Sequence, residues 1–306
     1  MKKAGALRRD LHLNGSLYLM VLPVVAFYIL FHYLPMSGVI IAFKNYKPAK
    51  GVFGSAWAGM GGFQHFHDFF TNFYFYRTLR NTLLINLYTL LFGFPAPIVF
   101  ALLLNEVKCR PFKRAVQTVS YFPHFISLVV VCGMLTEFCL SDGLFNQIRA
   151  LFGLSPKPLL QDPLLFRTIY VSSGVWQTVG WSSIVYLAAI AGIDQGLYEA
   201  AALDGAGRWR CMWHITLPGL KQTVVVLLIM QIGKMMNVSA DKIILLYNNS
   251  TMETADVISS YGYRRGLLEL NWSFSTAVGL FNSVINCALV VGANAMSRRL
   301  TESSLF

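Results

Sequence analysis

Residues 199–218 read EAAALDGAGRWRCMWHITLP and form a long polar interval between two strongly apolar segments. The first half is rich in alanine, the residue with the highest helix propensity, so a helix is predicted over 198–203. Asp204-Gly205 is a turn dipeptide, because glycine tolerates positive φ and aspartate can hydrogen-bond its own backbone. A second short helix is predicted over 207–215. The stretch therefore predicts a bent pair of short helices.

Small side chains cover one surface of this pair, so it can enter a cleft on another protein without steric conflict. The stretch resembles the EAA loop of inner-membrane permeases in binding-protein-dependent ABC importers. In that family the loop is the coupling helix that docks into the ATPase subunit. The resemblance implies an ATPase-coupling role for nine positions within the loop 194–221, namely Glu199, Ala200, Ala201, Asp204, Gly205, Ala206, Ile215, Leu217 and Pro218.

The resemblance extends over nearly the whole chain. Four further stretches look like the branch of sugar permeases that serves importers of oligosaccharides and polysaccharide fragments: Pro95-x-Pro97, Leu102 to Glu106, Tyr121 to Ser127 and Tyr186 to Ile190. This resemblance implies an all-α integral membrane protein of the type I ABC importer permease kind, with a bundle of six transmembrane helices. It also implies a multi-pass protein in the cell membrane of a bacterium.

The composition indicates a membrane protein on its own. Of the 306 residues, 55% are hydrophobic and 13% are charged, whereas a soluble domain has about a quarter of its residues charged. The net charge of +11 is scattered between apolar runs, so nucleic acid is not a predicted partner. The five cysteines lack CxxC spacing, and His65-x-His67-Asp68 lacks a third anchored ligand. Neither a disulfide framework nor a metal site is therefore predicted.

Apolar segments of about 20 residues predict transmembrane helices. The first, 17–43, is longer than the apolar core of about 7–15 residues in a signal peptide, so it is predicted to remain as a span. Five more are predicted at 81–104, 115–139, 168–193, 222–245 and 274–297, the fifth broken by Lys234, Asn237 and Asp241. The predicted organisation is a single permease domain, 17–297, between the tails 1–16 and 298–306.

Lysine and arginine residues predict the orientation of this bundle in the lipid bilayer. The segments 1–16, 105–114, 194–221 and 298–306 carry thirteen of them in 63 residues, and the segments on the other side carry eleven in 102. Cytoplasmic loops are enriched in these residues. Both termini and the loop 194–221 are therefore predicted to be cytoplasmic.

Motifs for nucleotide binding and for hydrolysis are absent from the sequence. It contains no GxxxxGK[ST] phosphate loop, no HExxH and no GxSxG. No catalytic residue is predicted, and the chain is not expected to be an enzyme. The resemblance implies that ATP and Mg²⁺ bind to partner subunits and that this chain binds no cofactor. It also implies a heterodimer with a second homologous permease, two cytoplasmic ATPase subunits, and an extracellular or periplasmic solute-binding protein.

Polar residues within the apolar segments suggest a substrate pathway. Such residues usually face the bundle interior or a wet cavity. An oligosaccharide offers hydroxyls to amides and CH faces to aromatic rings, and this chemistry selects Trp176, Gln177, Trp181, Gln231 and Lys234. The alternative is hydrogen bonding between helices, and it is favoured for Asn81, Asn86, Asn282 and Asn286.

Lys234 is the charged residue of this set. A lysine near the middle of a membrane costs about 2.5–3.5 kcal/mol on insertion scales, so something must compensate it. A substrate that contains uronic acid is one candidate. The alternatives are an ion pair with Asp241, a carboxylate of the partner permease, a water-filled cavity, and local unwinding that admits water. Helical spacing predicts that Gln231, Lys234, Val238 and Asp241 share one face.

The sequence leaves two other functions open. A permease for another solute, such as a peptide, phosphate or an amino acid, would carry the same EAA loop. A membrane enzyme or assembly factor would need an intramembrane catalytic pair, and the sequence shows no His–Asp, Ser–His or Ser–Lys pair with suitable spacing.

Overall fold

The computed structural model describes residues 13–301. Residues 1–12 and 302–306 of the two predicted tails lie outside the described residues. The described part of the chain forms helices, with one isolated bridge between Lys44 and Trp57. The chain divides into two compact units. One consists of the residues up to Phe70 with Arg265–Leu280, and the other of Thr71–Arg264 with the residues from Phe281 onward.

The first unit contains the first predicted span and the aromatic segment that follows it. Helix α1, Gly15–Phe43, is α-helical to Tyr28 and continues through π-helical and 3-10 turns. Lys44 is buried. Its Nζ donates to the carbonyls of Val52 and Phe53, at 3.1 and 3.0 Å, and these bonds satisfy the buried ammonium. Helix α2 is Gln64–Phe70, and short helical turns occupy Pro48–Lys50, Gly51–Gly54 and Met60–Gly62.

The second unit contains the remaining helices up to Tyr263. Helix α3 is Phe75–Glu106, with a π-helical turn at Thr89–Gly93. It is followed by α4 (Arg110–Tyr121), α5 (Leu128–Phe138), α6 (Leu144–Leu151) and α7 (Pro163–Ala191). The next helices are α8 (Gln195–Leu203), α9 (Arg208–Gly219), α10 (Lys221–Ile232), α11 (Ala240–Leu246) and α12 (Ile258–Tyr263). Helix α13, Trp272–Thr301, ends the described chain.

Helix α7 is the centre of packing in the second unit. Its residues Phe166 and Tyr170 lie in a hydrophobic cluster with Ile85 of α3, Val131 of α5 and Ile243 of α11. A second cluster forms towards the other end of α7, from Ala101, Tyr186, Ile190 and Leu220. Burying each large apolar side chain stabilises the fold by about 1.5–3 kcal/mol. The two clusters therefore hold α7 firmly against α3, α5 and α11.

Three of the described helices are long and apolar enough to cross a membrane. They are α1, α3 and α13, and they contain the first, second and sixth predicted spans. Two bent pairs of helices also pass the same test, so the described residues hold three to five candidate spans. The count of six stays a prediction.

The third predicted span, 115–139, falls on a bent pair of helices, Arg110–Phe125 and Leu128–Phe138, and stays a prediction. Helix α4 continues in a 3-10 turn at Phe122–Phe125, and the next helix, α5, departs at 99°. Pro123 cannot donate a backbone hydrogen bond, which favours a break there. Ser127 then starts α5 as its N-cap, because its Oγ accepts the N–H of Val130 at 3.4 Å.

The fifth predicted span, 222–245, is interrupted as expected, and the break has a further consequence. Helix α10 ends at Ile232 and α11 begins at Ala240, with turns and extended backbone between them. The prediction that Gln231, Lys234 and Asp241 lie on one helical face is therefore wrong. Asp241 instead lies in the first turn of α11.

The fourth predicted span, 168–193, lies in α7 as far as Ala191, where this helix of 29 residues ends. The helix is long enough to cross a bilayer at about 1.5 Å per residue, but it is not among the three helices that are both long and apolar enough to do so. Its start is fixed by Asp162, whose Oδ1 accepts the N–H of Leu164 at 2.9 Å. The hydrogen bond from Lys157, at 2.5 Å, and this N-cap bond lower the pKa of Asp162.

Candidate functional site

A cavity of about 640 Å³ lies in the second unit, between α3, α7, α10 and α11. We call it the central cavity. Its polar lining residues are Asn86, Thr89, Gln177, Thr178, Ser182, Gln231, Lys234, Asn237, Ser239 and Lys242. Its aromatic lining residues are Phe94, Tyr170, Trp181 and Tyr186. The π-helical turn of α3 supplies part of the wall, and such turns are frequent at functional sites.

Gln177 and Trp181 are held in this cavity by the bend between α4 and α5. The Nε2 of Gln177 donates to the backbone carbonyl of Ile126 at 3.2 Å. The ring of Trp181 stacks on His124, with centroids 4.7 Å apart and planes at 4°. The edge of Phe125 also meets Trp181, at 5.4 Å. The bend thus positions two of the predicted pathway residues.

Gln231 and Lys234 reach the central cavity from the end of α10. Gln231 lies in the last turn of the helix, and Lys234 lies in the turn that follows. Lys234 is exposed, and within residues 13–301 no carboxylate lies at ion-pair distance from it, Asp241 included. Local unwinding therefore leaves this ammonium exposed and without a counter-ion among the described residues.

Trp176 is separated from the other four pathway residues. It is 47% exposed and lines a groove of about 430 Å³ with Val119, Pro123 and Val179. We call it the Trp176 groove. Adjacent residues on a helix point about 100° apart, so Trp176 and Gln177 lie on different surfaces of α7. The structure brings together Gln177, Trp181, Gln231 and Lys234.

Sequence reasoning missed Lys242, the second lysine of the central cavity. Its Nζ donates to the carbonyl of Tyr170 at 2.9 Å and lies 4.6 Å from the centroid of the Tyr170 ring. The acceptor is 72 residues away in sequence. The available signal was a charge directly before the apolar run 243–246.

The asparagines expected to join helices differ in what they do. Asn81 is fully buried, donates to the carbonyls of Glu253 and Asp256, and accepts from Arg167 at 2.7 Å. Asn286 accepts the N–H of Met236 and donates to Asn237. These two confirm the prediction. Asn86 bonds within its own helix, to Thr82, and lines the central cavity.

A buried ionic cluster lies near Asn81. Asp256 is fully buried, and Arg264 binds it with two hydrogen bonds, at 2.9 and 2.6 Å. Arg77 donates to it at 3.3 Å and Ser260 at 2.7 Å. We call these four residues the Asp256 cluster. Asp256 is 4 residues from Ser260 and 179 residues from Arg77 in sequence, so no single sequence pattern predicts the cluster.

The predicted coupling loop is a helix, a turn and a second helix. Helix α8 contains the predicted 198–203 segment, and α9 contains most of the predicted 207–215 segment. Gly205 has φ +71°, which confirms the turn. The N–H of Ala206 bonds to the carbonyl of Ala201 at 2.8 Å and closes the first helix. The exposed members of the predicted coupling set include Glu199, Ala200, Asp204 and Pro218. Its half-buried members are Ala201, Ala206, Ile215 and Leu217.

One contact closes this loop on itself, and another attaches it to the rest of the second unit. The hydroxyls of Tyr198 and Thr216 lie 2.9 Å apart. The Nε of Arg208 donates to Oε2 of Glu106 at 2.7 Å, and its Nη2 donates to the Glu106 carbonyl. Glu106 is the last residue of α3. The coupling loop is therefore linked to the helix whose π-helical turn borders the central cavity.

Residues 13–301 contain no group of three or more His, Cys, Asp or Glu side chains that could hold a metal ion. The arrangement offers hydrogen bonds, aromatic faces and two ammonium groups around a cavity, together with an exposed loop. These features suit the passage of a polar solute and the docking of a partner.

Comparison with known proteins identifies the family. The family of the binding-protein-dependent transport system inner membrane component matches residues 69–302. The chain belongs to this family. Membership makes it an inner membrane component of a transport system and a permease subunit.

Curated relatives and solved structures agree with this assignment. Protein LplB of Bacillus subtilis is 43% identical, over 99% of this chain and 93% of that protein. The polygalacturonan/rhamnogalacturonan transport system permease protein YteP of Bacillus subtilis is 42% identical, over 95% and 90%. A chain in the crystal structure of a bacterial ABC transporter involved in the import of the acidic polysaccharide alginate is 43% identical, with a TM-score of 0.89. That match covers 97% of this chain and 99% of the other, so the fold is that of a type I ABC permease.

Proposed function

We propose that this chain is the permease subunit of an ATP-driven, binding-protein-dependent importer of oligosaccharides, and that its substrates are acidic polysaccharide fragments. Several relatives support a sugar. Besides YteP, the arabinooligosaccharides transport system permease protein AraP of Bacillus subtilis is 27% identical over 86% of this chain. A non-sugar solute, such as a peptide, has no such support.

The central cavity is the observation that carries this proposal. Amide side chains such as Gln177 and Gln231 can bind sugar hydroxyls, and Trp181 can pack against a sugar CH face. Its charged lining residues are Lys234 and Lys242, and no aspartate or glutamate belongs to this described lining. A cavity with lysines and without carboxylates favours an anionic solute.

The proposed assembly follows the family. The substrate pathway passes Gln177, Trp181, Gln231 and Lys234, and a second homologous permease forms the other half of the pore. Two cytoplasmic ATPase subunits bind ATP and Mg²⁺, and an external solute-binding protein delivers the sugar. One solved relative, 42% identical, is a bacterial alginate ABC transporter in complex with an alginate pentasaccharide-bound periplasmic protein.

The proposed topology has six spans within 17–297 and both termini in the cytoplasm. It can be tested with an impermeant thiol reagent on intact cells, after replacement of the half-buried Cys211 and the exposed Cys109 and Cys287. Cysteines placed at Ser155 and Asn249 should react from outside. Cysteines at Lys113 and Gly207 should react only after permeabilisation, and the reverse pattern would contradict this topology.

Uptake in cells tests the substrate class. Cells that carry this importer should take up a fluorescent galacturonate trisaccharide, and cells that lack this chain should not. A neutral trisaccharide with the same label should be taken up more slowly. Preference for a peptide, or equal uptake with and without the chain, would overturn the proposal.

The coupling loop needs a separate test. Gly205→Val places a branched side chain at φ +71°, where the left-handed conformation costs about 1–2 kcal/mol per residue. Ala201→Asp adds a charge to the surface that is covered by small side chains. Both changes should abolish ATP hydrolysis stimulated by the binding protein. Gly207→Ala is the matched control, because Gly207 has φ −73° and open space around its Cβ position. Normal stimulation in both test variants would remove the coupling role from this loop.

A further inference from the structure

Lys242 occupies an unusual position for a lysine. It is only 6% exposed, yet it belongs to the lining of the central cavity. A lysine ammonium has three N–H donors. One donates to the carbonyl of Tyr170, and the ring of the same residue lies below the ammonium. The other two N–H groups donate no hydrogen bond to residues 13–301.

No carboxylate of the described chain neutralises this charge. None lies at ion-pair distance from Lys242 within residues 13–301. Its neighbour in sequence, Asp241, is exposed and does not belong to the cavity lining. A buried charge is unfavourable unless it is paired, and a carbonyl with an aromatic face compensates it only in part.

The wall of the cavity leaves room beside the ammonium. Gly174 of α7 also lines the central cavity, and a Cβ at that position would lie 3.5 Å from Nζ of Lys242. Because glycine has no side chain, no Cβ lies against the ammonium on this side. An anionic group of the solute can therefore approach Nζ from the cavity.

Burial distinguishes Lys242 from Lys234. Lys234 is exposed, so an anion near it is screened more strongly than one near a buried lysine. Lys242 is surrounded by protein, where the effective dielectric constant is lower and an ion pair is stronger. Of the two lysines, the buried one discriminates more strongly between a charged and a neutral sugar.

We propose that Lys242 binds a carboxylate of the substrate, such as that of a uronic acid unit, in the central cavity. This inference rests on the proposed function and assigns its charge selectivity to one residue. Gly174 keeps the approach to the ammonium open, and Tyr170 holds the ammonium in place.

Uptake by variants in whole cells tests this assignment. Lys242→Gln removes the charge and keeps a donor for the Tyr170 carbonyl. It should lower uptake of the galacturonate trisaccharide about tenfold or more, as expected for a buried hydrogen bond to a charged group. Uptake of the neutral trisaccharide should change less than about twofold, within the effect of a minor perturbation. Lys234→Gln is the matched control, and it should lower acidic uptake less than about fivefold, as for an exposed ion pair.

A second variant covers the case in which Lys242→Gln does not assemble. Gly174→Ala places a methyl group at ordinary contact distance from Nζ and leaves the Tyr170 bond intact. It should also lower acidic uptake selectively. An unchanged ratio of acidic to neutral uptake in Gly174→Ala, or equal loss of both sugars in a well-assembled Lys242→Gln, would overturn the inference. Wild-type cells that take up neither sugar would contradict the proposed function instead.

Discussion

The second unit buries charge at two places, the Asp256 cluster and Lys242. Only the first has a counter-ion among the described residues. In the Asp256 cluster, the carboxylate is fully buried and two arginines bind it. At Lys242 the cation is nearly as deeply buried, and a carbonyl and a ring are its partners. The first region is complete within the chain. For the second we propose a carboxylate of the solute, so the comparison sets a charge that holds the fold against a charge proposed to bind a solute.

The largest drop in Tm is expected when the carboxylate of the Asp256 cluster is removed. Asp256→Asn leaves Arg77 and Arg264 without a counter-ion in a buried site. Removing one partner of a buried ion pair costs about 3–5 kcal/mol, so we expect a clear drop in the Tm of the purified importer, with poor assembly. Glu253→Gln is the control, because Glu253 is exposed and contributes its backbone carbonyl to Asn81. Equal melting of the two variants would remove the structural role from Asp256.

An intermediate drop in Tm is expected when either arginine of the Asp256 cluster is replaced. Arg264 forms two hydrogen bonds with Asp256, whereas Arg77 forms one longer bond. Hydrogen bonds to charged groups contribute about 1.5–3 kcal/mol. Arg264→Gln should therefore lower the Tm more than Arg77→Gln, and neither should change the ratio of acidic to neutral uptake. A change in that ratio would mean that the cluster also contacts the solute.

The smallest effect is expected at an exposed ion pair. The side chain of Arg208 is 60% exposed and that of Glu106 is 33% exposed. Exposed pairs contribute about 0.2–1 kcal/mol, so Glu106→Gln should change the Tm by little. A loss of stability as large as that of Asp256→Asn would show that exposure is a poor guide to these contributions.

Local sequence signals predicted the coupling loop well. Its helices and its turn depend on neighbouring residues, and Gly205 has the positive φ that an Asp-Gly turn favours. The long apolar segments predicted α1, α3 and α13 for the same reason.

Contacts between distant residues could not be predicted in this way. Asp256 and Arg77 are 179 residues apart, and Lys242 and Tyr170 are 72 apart, so no sequence period relates them. The break after Ile232 places Lys234 in an exposed turn, whereas a continuous helix was the basis for grouping it with Asp241. The sequence predicted that Trp176 and Gln177 act together, but their directions on α7 separate them.

We propose that the solute passes through the central cavity. Thr178 lines this cavity, and its neighbour Val179 lines the Trp176 groove. We would place a cysteine at each position, in a background without Cys109, Cys211 and Cys287, and measure the rate of reaction with a small thiol reagent. During transport, the galacturonate trisaccharide should slow the reaction at Thr178→Cys and leave that at Val179→Cys unchanged. Protection at Val179→Cys alone, or equal rates with and without the sugar at both positions, would contradict this account.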